Sequence, residues 1–183
     1  MAETFANSIT RAVGIITSYS GSTIGAAGTS ITVTANTGIG VSDLVENSNF
    51  LAGTKVAQIS GTTIYTDRNS TNTSSATSQI VKFLGPTTAY TSASGVKSII
   101  IGGTFANNTE SQVNLTVEVY DSSVGVTSTG SAAIASKIPV PNGSSFVISD
   151  AGKTLLEASD EIRVYCDTAN GVDVNLSILK GVS

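Results

Sequence analysis

The residues of this chain that could do chemistry are few, and three acidic residues come closest to forming a site. Glu157, Asp160 and Glu161 lie near one another in the sequence, and glycoside hydrolysis needs two carboxyl groups that face each other across a bond. The same three residues fall in a predicted turn between two strands, where acidic side chains are ordinarily solvated. They also lack the Asp-x-Asp-x-Asp pattern that a calcium loop prefers. We therefore expect no catalytic role and no metal site there.

Other kinds of chemistry lack their usual residues. The chain has no histidine, so the commonest general base and the commonest transition-metal ligand are both missing. The single cysteine, Cys166, shares a strand face with Ile162 and Val164, which predicts a buried thiol in the core. The glycines of Ser22–Gly28 do not lie between a buried parallel strand and a helix, as a phosphate-binding loop requires. We predict no catalytic residue, no cofactor and no bound metal, and hence that the protein is not an enzyme.

Two polar features could serve in recognition instead. Asp67 and Arg68 adjoin a Ser/Thr-rich stretch that we interpret as a solvated loop. Stacked tyrosines can form platforms for sugars or bases, and Tyr165 is predicted on the solvent side of its strand while Tyr120 ends another. Scattered interface tyrosines are the simpler interpretation, because Tyr gives a large contact area at low entropic cost. The tyrosines of the chain are Tyr19, Tyr65, Tyr90, Tyr120 and Tyr165.

Composition excludes several partners. Charged residues make up 12% of the 183 residues and the net charge is −4, which disfavours nucleic acid as a partner. Aromatic residues make up 5%, with no tryptophan, so the cores must be aliphatic and thin, and thin cores are commonly supported by partner subunits. The chain shows neither a signal peptide nor a stretch of about 20 apolar residues for a membrane helix.

The best-patterned element is Gln112–Tyr120, QVNLTVEVY. Side chains alternate along an extended chain, so its valines and leucine share one face while its polar residues share the other. This pattern predicts an antiparallel sheet with a core on one side and solvent or a partner on the other. The apolar face comprises Val113, Leu115, Val117 and Val119, and the face predicted to be wet comprises Asn114, Thr116 and Glu118.

The chain after Pro86 reads as about eight strands, typical of an antiparallel β-sandwich of jelly-roll or immunoglobulin-like type. Asn170-Gly171 is a hairpin signal, and Pro139 and Pro141 are expected to lie in an edge strand or at the end of a strand. The only helix candidate, Lys153–Ser159, is too short to be stable without caps. Besides Gln112–Tyr120, the predicted strands are Thr87–Thr91, Val96–Phe105, Ala132–Val140, Ser145–Ile148, Thr154–Glu157, Glu161–Cys166 and Val172–Ile178.

The chain before Pro86 is patterned differently. From Ile15 onward, short β-branched runs alternate with glycine-bearing pieces that are typical of turns and loops, and Ser60-Gly61 predicts a tight hairpin. The segment Asp67–Ser78 has no large apolar residue and is predicted to be an exposed loop or ordered against a neighbour. A strand follows at Gln79–Leu84, and Gly85-Pro86 then marks a predicted domain boundary. A further loop is predicted at Asp121–Gly130.

The C-terminal half resembles small β-sandwich virion proteins of tailed bacteriophages, of the kind that infect marine and cyanobacterial hosts. The matching pieces, in order, are VKSIIIGGTFANNTESQVNLTVEVYD, IPVPNGSSFVI and KTLLEASDEIRVYCDTANGVDVNLSIL. In such proteins an opening like FANSITRAVG runs directly into a segment like PTTAYT. The resemblance therefore implies that residues 1–14 and 86–183 form one sandwich, with residues 15–85 as a small β module inserted near the N-terminus.

What the resemblance implies about function is a structural role in the virion without any reaction. We expect a capsid decoration or cement protein that forms homo-oligomers, trimers foremost, and binds other virion proteins, above all the major capsid protein. A neck, tail or fibre component is the first alternative. A carbohydrate-binding receptor-recognition module is the second, and it predicts an aromatic or Asp/Asn platform on one sheet.

Overall fold

The computed structural model describes residues 3–124, 130–149 and 153–182. Within those residues the regular elements are strands, apart from one turn of 3-10 helix at Ser122–Val124. The chain is therefore all-β and antiparallel, as the alternating pattern predicts. Its internal contacts divide it into two compact units. The described residues of the first unit are 3–15, 87–124, 130–149 and 153–182, and the second unit comprises residues 16–86.

The first unit is a β-sandwich. Its first sheet consists of β1 (Thr4–Val13), β9 (Lys97–Asn107), β12 (Ser145–Ile148), β13 (Thr154–Leu156) and β15 (Val172–Val182). These strands follow the order β1, β15, β9 and β12, and β13 lies beside β9 as well. Its second sheet consists of β8 (Thr87–Thr91), β10 (Val113–Tyr120), β11 (Ser131–Val140) and β14 (Glu161–Cys166), in the order β11, β10, β14 and β8. The strand that contains Pro139 is thus an edge strand, as predicted.

The core of the sandwich lies between the apolar faces of these two sheets. Val113, Leu115 and Val117 of β10 are completely buried there, which confirms the predicted dry face. They share one cluster with the apolar sides of β14 and β15. The cluster members from those two strands are Ile162, Val164, Cys166, Val172, Val174, Leu176 and Ile178.

The second unit has its own sheet and its own aliphatic core. Its strands are β2 (Ile15–Ile24), β3 (Ser30–Thr32), β4 (Leu44–Glu46), β5 (Val56–Ser60), β6 (Thr63–Thr66) and β7 (Ala76–Gly85). They are ordered β4, β7, β2, β3, β6 and β5. Ile31, Ile64 and Phe83 are completely buried in the core of this unit. The predicted hairpin joins β5 to β6, and Gly61 has a φ of 57° in its turn, a conformation that glycine adopts without steric cost.

The segment Lys153–Ser159 forms no helix, and it contains β13, which confirms the strand predicted from Thr154. Two other local predictions were wrong. Asn170-Gly171 does not form a hairpin, because it carries the chain from β14 in one sheet to β15 in the other. The glycine-bearing piece after Thr17 is not a loop throughout, since β2 continues to Ile24, with Gly21 at a φ of 72° inside the strand.

Two predicted loops have different outcomes. The Asp67–Ser78 segment is irregular as far as β7, which begins at Ala76. Side chains tie it to the turn after β2, where the Ser70 hydroxyl donates to the carbonyl of Gly25 at 2.8 Å. Of the predicted Asp121–Gly130 loop, residues 125–129 lie outside the described residues, and the 3-10 turn occupies part of the rest.

Candidate functional site

The three acidic residues near the end of the chain do not face one another across a cleft. Asp160 accepts hydrogen bonds from the backbone N–H groups of Ser122 and Glu157, both at 3.0 Å, and so fixes the turn between β13 and β14. Glu157 pairs with Lys97 at 3.1 Å and Glu161 with Arg163 at 2.8 Å. Each carboxylate therefore has a separate structural partner. Among the described residues, no three His, Cys, Asp or Glu side chains are grouped as a metal site would require.

The thiol of Cys166 is completely buried, as predicted. Burial raises the pKa of this thiol, since the thiolate is the form that loses solvation. Its sulfur accepts a hydrogen bond from the backbone N–H of Thr168 at 3.4 Å. The side chain is a core residue with a raised pKa, which is the opposite of what a reactive cysteine needs.

The tyrosines of the sandwich do not form an exposed platform. Tyr165 is 1% exposed and Tyr120 is 5% exposed, so the prediction that Tyr165 faces solvent is wrong. Tyr90 is buried as well, with its hydroxyl 2.9 Å from that of Ser98. In the second unit Tyr65 is exposed, and the Tyr19 hydroxyl donates to the carbonyl of Thr37 at 2.6 Å.

The face of β10 that was predicted to be wet is largely buried. Glu118 is only 3% exposed, and Thr116 is also buried. Along this stretch the register of β11 against β10 shifts twice. Lys137 has a φ of 50° at this irregularity, and its backbone N–H donates to the Thr116 hydroxyl at 3.0 Å. Bulges bend and twist a strand locally, so alternation alone cannot say whether an outward face is covered.

On the same face of the second sheet, the side chain of Arg163 stacks on the ring of Tyr120. The guanidinium carbon of Arg163 lies 3.4 Å from the centre of the Tyr120 ring, a cation–π contact. Glu161 accepts hydrogen bonds from Arg163 at 2.8 Å and from the Thr88 hydroxyl at 3.2 Å. The charges are thus satisfied within the sheet, and the group is a structural network. This network could not be predicted from the sequence, because the pairing of β10 with β14 must be known before these residues can be placed together.

The outer surface of the first sheet is the strongest candidate for a contact site. We call six of its large apolar side chains the apolar face: Phe5, Ile9, Ile99, Val147, Leu155 and Leu179. Pairing aligns four of them in a row across four strands, because Phe5 lies opposite Leu179, Leu179 opposite Ile99, and Ile99 opposite Leu155. The other two residues, Ile9 and Val147, lie at the ends of a second row, whose middle positions are Asn175 and Thr104.

Most of the apolar face is open to solvent. Phe5 is 81% exposed, Ile9 71%, Val147 57% and Leu155 50%, while the two central residues are half-buried. Ion pairs lie on both sides of it, Lys97 with Glu157 at 3.1 Å and Arg11 with Asp173 at 3.4 Å. An open depression of about 350 Å³ adjoins it beside Phe5 and Asn7. An apolar centre with a polar rim is the usual anatomy of a protein-binding surface.

Asp43 in the second unit is the one buried acid with a strongly raised pKa in the described part of the chain. Loss of solvation raises its pKa from 3.8 to about 6, although the N–H of Gly40 donates to the carboxylate at 2.8 Å and lowers it in part. The folded state therefore binds a proton that the unfolded chain has already released. As a result, the free energy of unfolding falls as pH rises from about 4 to about 6.

We expect the Asp43→Asn variant to remove this pH dependence. An amide stays neutral in the same pocket, so the variant should be more stable than the wild type by about 2 kcal/mol at pH 7. Denaturant unfolding measured from pH 4 to pH 8 checks this prediction. Asp173→Asn is the control, and it should lower the free energy of unfolding at pH 7. The N–H of Ala12 and, to a smaller degree, Arg11 hold the pKa of Asp173 below its ordinary value. A wild type that gains stability from pH 4 to pH 6, unaltered by Asp43→Asn, would contradict the assignment.

No helix in the described part of the chain has the length and apolar character needed to cross a membrane. Comparison with known protein families, with characterised proteins and with solved structures finds no match. The candidate site therefore rests on the geometry of the apolar face.

Proposed function

We propose that this protein is a structural subunit of a tailed-phage virion, and that it is a capsid decoration or cement protein bound to the head shell, above all to the major capsid protein. The observation that carries the proposal is the apolar face, an exposed row of large side chains on a sheet with no chemistry of its own. The resemblance of the C-terminal half to small phage virion sandwiches supports it. The protein acts by contact and catalyses no reaction.

The part of the apolar face that lies away from β1, on β12 and β13, suits a contact with another virion protein. Leu155 on β13 lies opposite the half-buried Ile99 of β9, and Val147 on β12 lies opposite Thr104 of the same strand. Each square ångström of apolar surface that leaves water contributes roughly 25 cal/mol. A shell repeats its binding sites by symmetry, so modest contacts by linked copies add up to tight binding.

The alternatives differ in what they need from the surface. A carbohydrate-binding module needs an exposed aromatic platform, and the burial of Tyr120 and Tyr165 does not favour one on the second sheet. A neck, tail or fibre component would use the same kind of apolar contact as a decoration protein. The number of copies on the particle distinguishes the two positions.

Cosedimentation with phage heads that lack this protein tests the proposal. We expect the wild type to bind, and Leu155→Asp to lose at least about tenfold in affinity, because a carboxylate must then be desolvated in the contact. Ile80→Asp is the matched control, since Ile80 is 61% exposed on β7 of the second unit. Absence of binding by the wild type would refute the proposal. Equal binding by Leu155→Asp would refute the role of the apolar face.

A further inference from the structure

The edge of the first sheet at β1 has the properties of a pairing strand. In the described part of the chain β1 pairs with β15 alone, so its other side presents unpaired backbone groups. Its register is regular from Thr4 to Thr10 and becomes irregular before Val13. Natural proteins protect such edges with prolines, bulges or inward-pointing charges. Over its regular part, β1 has none of these and instead exposes two large apolar side chains, Phe5 and Ile9.

The outward-facing residues of this segment would be complementary to those of a second copy paired with it antiparallel. They are Glu3, Phe5, Asn7, Ile9 and Arg11, and all five are exposed. An acid and a base stand at the two ends, an aromatic and an aliphatic residue come next, and a small amide lies at the centre. A two-fold interface must be complementary to itself, and this order satisfies that condition.

We infer that two copies of this chain pair through β1, antiparallel, about a two-fold axis at Asn7. In this register Phe5 lies opposite the partner's Ile9, and Glu3 lies opposite the partner's Arg11. A shift of two residues in either direction would set Glu3 against the partner's Ile9, or Phe5 against the partner's Arg11. Only the register centred on Asn7 matches charge with charge and apolar with apolar.

The surroundings of β1 fit this occupant. The side chain of Arg11 is 82% exposed and its ion pair with Asp173 is long, at 3.4 Å, so it can also reach the partner's Glu3. Contact of each phenylalanine with the partner's isoleucine would shield part of this exposed apolar surface from water. The inward side chains of Ser8 and Thr10 already donate to the carbonyl of Ala89. The pairing edge is therefore anchored within its own sandwich before a partner arrives.

The two-fold pairing adds to the proposed function the contact by which copies recognise each other. It joins two first sheets edge to edge and leaves Leu155 and Val147 of each copy on the far strands. It also predicts a dimer as the basic unit, where the family resemblance favoured a trimer. Because the pairing is measured on the isolated chain, it can fail without affecting the head-binding test, and the reverse also holds.

A cysteine at the axis tests the register directly. In the Asn7→Cys variant of the full chain the two new thiols face each other, with Cα atoms within the roughly 4.4–6.8 Å that a disulfide needs. We expect oxidised glutathione to convert it to a covalent dimer. Ser177→Cys is the control, because Ser177 lies opposite Asn7 on β15 and would be about 14 Å from its copy, three strand spacings away. The natural Cys166 is buried. Failure of Asn7→Cys to cross-link, or equal cross-linking of Ser177→Cys, would overturn the inference.

Sedimentation equilibrium over a dilution series measures the same contact without cross-linking. We expect a dimer for the wild type, at least a tenfold weaker dimer for Phe5→Ser and for Arg11→Glu, and an unchanged dimer for Leu155→Ser. The double variant Glu3→Arg/Arg11→Glu exchanges the two charges and should recover most of the affinity that Arg11→Glu loses. A monomer or a trimer at every concentration, or a double variant as weak as the single one, would overturn the inference.

Discussion

Replacement of Val117 by aspartate is expected to unfold the β-sandwich. Val117 is completely buried in the core, opposite Val164 of the neighbouring strand. A carboxylate there would have no partner among the apolar residues around it, and burying such a charge costs several kcal/mol. A domain of this size has a total stability of about 5–15 kcal/mol. We expect the thermal transition of this unit, followed by circular dichroism, to be lost or shifted far down.

A matched substitution separates burial from the change of residue type. Val147→Asp makes the same exchange at a position that is 57% exposed on the outer surface of the first sheet. It should melt within a few degrees of the wild type, because surface substitutions usually change stability by less than about 0.5 kcal/mol. A Val117→Asp variant that melts together with the Val147→Asp variant would contradict the assignment of the core.

Replacement of Gly14 by alanine is expected to be nearly as damaging. Gly14 follows β1 and has a φ of 130°, a conformation that other residues rarely adopt. A Cβ atom there would collide with the backbone oxygen of Thr168. That oxygen belongs to the connection between β14 and β15, where the Asn170 N–H donates to the carbonyl of Gly14 at 3.2 Å. Relief of the clash would break this connection, so we expect a loss of about 3 kcal/mol or more.

Gly95 provides the control for backbone conformation without a clash. It also has a positive φ, of 70°, but a Cβ atom there would meet nothing within 4 Å. Gly95→Ala should cost only about 1–2 kcal/mol, the conformational penalty alone. Denaturant unfolding of both variants measures the difference. Equal losses for the two variants would mean that the contact of Gly14 with the Thr168 segment is not as tight as described.

Much of the sandwich follows from local pattern. The strands Thr87–Thr91 and Glu161–Cys166 have the bounds that their sequence predicts, because alternation and turn residues are read over a few positions. The connection at Asn170-Gly171 was mispredicted because a turn signal is local, whereas the choice between pairing in one sheet and crossing to another depends on the whole core. Glu118 shows the same limit, since its surroundings come from the neighbouring strands β11 and β14 and not from the sequence of β10.

The candidate site was less predictable than the fold. The sequence correctly placed Cys166 in the core. It could not show the apolar face, because Phe5, Leu179 and Leu155 lie far apart in the chain and become neighbours only through the pairing of β1, β15, β9 and β13. The one local signal was the alternation of β1, whose outward side carries phenylalanine and isoleucine where a solvated edge would carry charges.

We propose that this protein coats a virion through repeated contacts, and its copy number on the particle tests that proposal most directly. Quantitative mass spectrometry of virus particles purified from the source of this chain gives the ratio of this protein to the major capsid protein. Decoration of the head shell predicts on the order of hundreds of copies per particle, because a shell repeats its binding sites many times. A dozen copies or fewer would move the protein to the neck or tail, and its absence from the particle would contradict the account.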